Sequence, residues 1–276
     1  MSDGLQLVLL SLAVFLLGTP HGALDGRVAR DWLRPRLGNG WLLPFVAGYL
    51  LLAGLSLGLW LIAPVAALGA FLALAAIHFG EHDSPTGAWI PVLVRGSLPP
   101  VLAAAAHPQE IAAVFAILAG EDSEALAAML GGPLFGLWLA GAAAVLLIEP
   151  GSAAKAELLL LAVLFALAPP LLAFAAYFGL LHSPRALLAS RRPDARWAAL
   201  LRDALPWSFA AICLALPLWA VFAPRIGEGE ALVRTIFWWL SALTVPHMAL
   251  HLMTRQGRPT TAARSWRGSP SPAAAG

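Results

Sequence analysis

PVAALGAFLALAAIHFGEHD, residues 64–83, is uncharged from Pro64 to Ile77 and then turns polar at His78, Glu81, His82 and Asp83. Such a run is a candidate membrane span, because a helix needs ~20 mostly apolar residues to cross the hydrocarbon layer. Three of the seven histidines close apolar stretches in this way. They lie in Pro20-His21-Gly22-Ala23-Leu24-Asp25, in His78-Phe79-Gly80-Glu81-His82-Asp83, and in Tyr177-Phe178-Gly179-Leu180-Leu181-His182-Ser183. A fourth, in Pro246-His247, lies inside the last apolar stretch. Ionisable side chains at the edge of a bilayer cost free energy, which makes them functional candidates. Imidazole is also the commonest side-chain metal ligand. The pattern points to a metal centre held among membrane helices.

Composition sets the class. The 276 residues are 60% hydrophobic and 12% charged, about half the ~25% charge of soluble domains. The expected fold is all-α, a polytopic transmembrane helical bundle of seven to nine spans. Residues 1–254 read as one integral membrane catalytic domain, and 255–276 as a polar, proline-rich, disordered cytoplasmic tail. A net charge of +2 gives no support to nucleic-acid binding. Cys213 is the single cysteine and excludes an intrachain disulfide. Without a basic leading segment, the first apolar run reads as a span rather than a cleaved signal.

Spans are expected near 5–22, 41–62, 64–80, 89–106, 131–148, 157–178, 205–223 and 229–252. Arg27, Arg30, Arg34 and Arg36 follow the first, Arg185, Arg191, Arg192, Arg196 and Arg202 follow His182, and Arg255, Arg258, Arg264 and Arg267 follow the last. The positive-inside tendency places all three segments in the cytoplasm, with His21, His78 and His182 on that side of a cell membrane. A conflict remains. Single crossings at 89–106, 131–148 and 157–178 would put the arginines after His182 outside. The apolar stretch 108–119 is short, and is expected to be either a re-entrant segment or the missing crossing. Arg95, Pro99 and Pro100 weaken the 89–106 span.

Among the histidines, His21 and Asp25 are four apart and share a helical face. Asp25 is therefore a candidate to hold an imidazole's second nitrogen; pairing with Arg27 or capping a turn are its alternatives. His78 ends its apolar run and is preferred as a ligand over His82, which reads as solvated or supporting. Glu81 is a second supporting candidate. His182 is either a ligand or a histidine favoured by a helix C-terminus. His247 lies deeper than His251, which comes one turn later, so His247 is the ligand candidate and His251 the supporting one. His107, before Pro108, reads as an interfacial residue. Most of the eleven tryptophans and twelve phenylalanines suit interfacial belts or packing. Phe174, Tyr177, Phe178, Trp238 and Trp239, near His182 and His247, are candidates to line an apolar substrate tunnel. Glu121-Asp122-Ser123-Glu124 reads as a solvated capping turn.

These motifs, together with His182-Ser183-Pro184-Arg185, resemble those of the Brp/Blh family of bacterial and archaeal membrane carotenoid-cleaving oxygenases, in the same order from about residue 10 to 252. The resemblance implies cleavage of the central double bond of beta-carotene by molecular oxygen at a non-haem iron(II), giving two retinal molecules. Carried over by motif, His21, His78 and His182 are iron ligands, with His247 completing the set. It further implies membrane lipid as the substrate's source and a retinal-binding rhodopsin as a partner. One position departs: the family commonly has a histidine four residues after His182, where this chain has Ala186.

Two other classes use the same residues. His78-Phe79-Gly80-Glu81-His82 matches the H-x-x-E-H pattern of zinc proteases, so a membrane zinc hydrolase with Glu81 as base is an alternative. A non-enzymatic haem-binding or transport protein is another.

Overall fold

A computed structural model describes residues 3–149, 151–190 and 197–256, apart from the side chains of Asp3, His21, Trp197, Arg255 and Gln256. The expected tail from residue 257 onward therefore lies outside the described residues. No strand occurs among those described. The elements are α1 (Asp3–Ser11), a π-helical stretch (Leu12–Gly18), α2 (Thr19–Gly22), α3 (Asp25–Leu37), α4 (Leu42–Ile62), α5 (Pro64–Asp83), α6 (Trp89–Ala106) and α7 (Pro108–Ala119). Next come α8 (Glu124–Met129), a second π-helical stretch (Leu130–Leu134), α9 (Phe135–Ile148), α10 (Ser152–Leu167), α11 (Pro170–Tyr177), a third π-helical stretch (Phe178–His182), α12 (Ser183–Ala189), α13 (Trp197–Ile226) and α14 (Glu228–Gln256).

Seven of the described helical segments are long and apolar enough to cross a membrane. Their apolar side chains face both ways. Leu68, Phe165, Tyr177 and Ile236 fill the interior, while Leu61, Leu147, Leu160 and Phe209 lie exposed on the outside. A bundle apolar on every side suits lipid rather than water.

Close contacts give the direction of each helix. A Cβ on Gly80 would strike the Val92 carbonyl, and one on Gly96 the Ala76 carbonyl, so α5 and α6 run antiparallel with backbones touching. Small residues at such crossings are how membrane helices gain packing without a hydrophobic driving force between them. Gly131 against Ala104 and Gly141 against Val94 set α8–α9 antiparallel to α6 in the same way. The start of α1 lies beside the start of α14, through Leu7 and Gly229, and Trp207 of α13 packs on Gly26. One end of the bundle thus collects His78, His82, the beginning of α3 and the early part of α13.

The conflict in crossing number resolves at Pro169-Pro170. The expected single span 157–178 is incorrect: α10 ends at Leu167, Ala168 is extended at φ −93° and ψ 149°, and α11 starts afresh at Pro170. Proline drives the preceding residue out of the helical region and is well suited to open the next helix. One apolar run therefore folds as two antiparallel helices, α10 leading away from the histidine end and α11–α12, the longer and the span candidate, back toward it, with Glu157 beside Arg185 and Phe165 beside Tyr177. That returns Arg185 to the same end as the arginines of α3. The segment 108–119 is not a crossing. Its helix has 12 residues, about 18 Å at 1.5 Å each, and it lies at the far end, where the Trp238 indole donates to the Leu118 carbonyl at 3.1 Å.

Arg95 does not break α6. Its guanidinium Nη2 donates to Glu149 at 2.7 Å and to the Ala154 carbonyl at 2.9 Å, which pairs a charge buried at mid-helix. A Gly96→Val substitution should lower the unfolding midpoint of the detergent-solubilised protein, by a cost of about 1–3 kcal/mol for overpacking. Gly48→Ala, which meets nothing within 4 Å, should leave that midpoint unchanged or raise it slightly; equal midpoints for Gly96→Val and the parent chain would refute the close crossing.

Candidate metal centre

The histidine motifs arrive from different helices at one place. The ring of His78, near the end of α5, is 5.0 Å from His82, 5.2 Å from His182 and 4.9 Å from His247 between centroids. His182 closes the third π-helical stretch, where the wider turn shifts side-chain register by one position. It is fully buried, edge-on to Phe79 at 4.6 Å and stacked on Phe178 at 5.8 Å. The first π-helical stretch leads to His21, and packs against the third so closely that a Cβ on Gly18 would strike the Phe178 ring. His247 comes directly after Pro246 inside α14.

His78, His82 and His247 can each offer a nitrogen such that the three lie within 4.8 Å of one another, and so can Asp25, His247 and His251 with their ligand atoms. Two metal–nitrogen bonds of about 2.1 Å span ~4 Å, so the first group is close to a ligating arrangement. Imidazole donors suit iron, zinc, copper or nickel. The donor set fits a divalent transition metal.

Two carboxylates flank the rings. His247 Nδ1 lies 2.9 Å from both Asp25 oxygens, and the Tyr49 hydroxyl donates to Asp25 Oδ2 at 3.1 Å. An ionised carboxylate only accepts, so His247 donates from Nδ1, and Nε2 is the ring nitrogen that could serve a metal. On the other side Tyr177 donates to Asp83 Oδ2 at 2.6 Å, and His182 Nδ1 lies 3.6 Å from the same oxygen. The chain has two tyrosines, Tyr49 and Tyr177, and each serves one of these aspartates. Arg185 donates to Asp83 Oδ1 at 3.2 Å and to both oxygens of Glu157 at 3.1 and 2.7 Å. Outer partners of this kind fix ring orientation and tautomer at metal sites.

Of the candidates named from sequence, His78, His182 and His247 come together. The side chain of His21 lies outside the described residues, although Thr19 and Gly22 on either side of it line the cavity next to the centre. Asp25 meets His247, with His251 Nε2 at 3.6 Å. Half-buried Glu81 belongs to neither group of metal-capable side chains among the described residues. His82 sits among the rings rather than out in a polar turn. Asp83, Tyr49 and Arg185 carry supporting contacts that the sequence alone does not assign to them. The adjacency of Asp83 to His82, and the scarcity of tyrosine, are the signals that could have found them.

A cavity of about 410 Å³ runs from His78 and His247 into the bundle, within the ~300–1,000 Å³ typical of small-molecule sites. Its walls are almost wholly apolar. Phe174, Phe178 and Trp239 line it, along with Phe71, Phe115 and Phe237. Tyr177 and Trp238 do not: the first is turned to Asp83, and the second stacks on Trp60 at 5.1 Å.

A family model described as beta-carotene 15,15'-dioxygenase matches residues 12–254. The chain belongs to the beta-carotene 15,15'-dioxygenase family. Among curated relatives it is 30% identical to a probable beta-carotene 15,15'-dioxygenase, Blh, of Halobacterium salinarum, over 84% of this chain and 79% of that one. It is 29% identical to a beta-carotene 15,15'-dioxygenase of an uncultured marine bacterium, over 87% of this chain and 90% of the relative. No solved structure matches the chain.

Replacing an outer carboxylate should loosen metal. Asp25→Asn and Asp83→Asn should each lower metal affinity by about 10–100-fold, measured as metal retained per protein after dialysis against a graded chelator, with Tyr49→Phe and Tyr177→Phe showing smaller losses. Full retention in both asparagine variants would refute the supporting role.

Proposed function

We propose that this protein cleaves the central double bond of beta-carotene with molecular oxygen, each of the two carbons taking one oxygen atom, so that two retinal molecules form. The observation that carries this reading is the position of the histidine cluster at the wall of an apolar cavity inside a membrane bundle. A polyene dissolved in lipid can occupy such a cavity, whereas a hydrophilic substrate would meet almost no polar partner there.

Non-haem iron(II) would be held by His78, His182 and His247, with His82 in the same cluster and His21 carried over from its motif. Bound iron(II) supplies the electrons and open positions that let oxygen react with a closed-shell polyene. The chain's own part is positioning. Asp25 and Asp83 orient His247 and His182, and the aromatic walls hold the polyene and exclude water. His78 and His247 face the cavity directly, so the bond to be cut would lie across them. Ala186 is buried one turn beyond His182, and the cluster assembles without an imidazole there.

The arginines of α3, Arg185 and Arg202 share the histidine end. This supports placing that end at the cytoplasmic face of the cell membrane, where released retinal could pass to a rhodopsin. The zinc-hydrolase reading requires Glu81 as base beside a substrate site, and Glu81 is not among the residues that line the cavity at His78 and His247.

Expression in a beta-carotene-producing bacterium should bleach the orange colour and yield retinal in the extract. His78→Ala and His247→Ala should abolish both, by at least about 100-fold if the metal is lost, while Glu81→Gln should retain them. Persistent colour with well-expressed, iron-loaded protein would overturn the reading, and loss of activity only in Glu81→Gln would favour the hydrolase.

A further inference from the structure

The cavity is not closed. Of the residues lining it, the exposed ones are Leu50 on α4 and Ala210 and Leu214 on α13, whereas Leu68, Leu118 and Phe165 at its inner reach are almost fully buried. The opening therefore lies between α4 and α13. Val46 and Tyr49 form one jamb and Trp207 and Ala211 the other, with Leu240, Leu243 and Thr244 of α14 as the floor. Around it the surface is lipid-like: Leu43, Leu51 and Leu55 on α4 and Leu205, Phe209 and Leu216 on α13 are all exposed. The lining includes Asp25, His78 and His247 at the histidine end and Phe115 and Leu118 of α7 at the far end.

We propose that the gap between α4 and α13 is the lateral mouth through which an elongated apolar polyene enters from the bilayer, threading past the histidines toward α7. This rests on the carotenoid reading for its occupant and adds the route. The mouth, His78 and His247, and Phe115 and Leu118 of α7 all border the same cavity, so a molecule that enters between α4 and α13 reaches the histidines without leaving an apolar wall. Trp207 is the residue at the threshold. It meets Gly26 on the site side and Phe45 of α4 edge-on, at 5.4 Å between ring centroids. A substrate passing between α4 and α13 must displace or slide along that ring.

The test is a reversible plug in the intact protein. Cys213, exposed three residues after Ala210, is first removed as Cys213→Ala. In that background Ala210→Cys is modified with benzyl methanethiosulfonate in proteoliposomes, and later released with dithiothreitol. Two quantities are read: the rate at which beta-carotene in the lipid is taken up by the iron-free protein, and the rate at which the iron-loaded protein cleaves it. Leu160→Cys, on the exposed flank of α10, is the control. The plug at 210 should slow uptake by about tenfold or more, as gating positions do, with recovery on reduction and no change at 160. Unaltered uptake with the plug in place overturns the mouth, even if cleavage proceeds. Plug-dependent uptake without cleavage keeps the mouth and overturns the cleavage reading. A protein that takes up no beta-carotene, plugged or not, overturns the proposed occupant.

Discussion

The bundle depends on two buried carboxylates that cannot stand alone. Asp25 and Asp83 are each almost fully buried among apolar helices, where an unpaired charge would cost several kcal/mol even after relaxation. Each is stable only if the chain closes around it. Asp25 requires His247, 222 positions later, and so ties the beginning of α3 to the end of α14. Asp83 requires Tyr177 and Arg185 and so ties α5 to α11 and α12. Satisfying the carboxylates brings the histidine-bearing segments to one depth. The polar centre is therefore a condition of packing as well as a site, and a helix displaced from it leaves a charge exposed to hydrocarbon.

Backbone detail supports the same closure. The first and third π-helical stretches each lead into a histidine motif, and they touch where Gly18 meets Phe178. A π turn inserts one residue and rotates the helix beyond it. His182 is thereby aimed inward beside Phe79 and Phe178 instead of keeping the phase of α11. The network of Arg185, Glu157, Arg95 and Glu149 extends the hold outward, with Arg95 3.6 Å from Glu157. Two arginines that look disruptive in an apolar sequence act as anchors for α6, α10 and α12.

Much of this was legible in the sequence. The all-helical membrane class comes from apolar run length, and His78, His182 and His247 from their placement at polar breaks in those runs. The errors have physical causes. Hydropathy averages over a window and does not see that Pro169-Pro170 reverses the chain, so two antiparallel helices read as one span. The side chain of His21 lies outside the described residues, and the Asp25 partner that the structure does describe is His247, 222 positions away and brought there by tertiary closure. His82 read as solvated or supporting because its neighbours are polar, and it lies among the rings, with the adjacent Asp83 buried beside His182. For Tyr49 the sequence offers only the scarcity of tyrosine; its role appears once α4 is packed beside α3.

Ala186 can be weighed in the same terms. Histidines four apart lie on one helical face, and the chain has two such pairs here, His78 with His82 and His247 with His251. A histidine at 186 would make a third pair with His182. With alanine there, the described rings of His78, His82, His182 and His247 still gather around His78, and His251 lies 4.4 Å from His247 between centroids. Iron that must bind oxygen keeps positions open, and three protein ligands suffice in the 2-His-1-carboxylate sites of other oxygenases. Under the proposed iron reading, a ring at 186 would be a further donor beside a cluster that already offers three or more imidazoles. Ala186 itself is almost fully buried in the turn after His182.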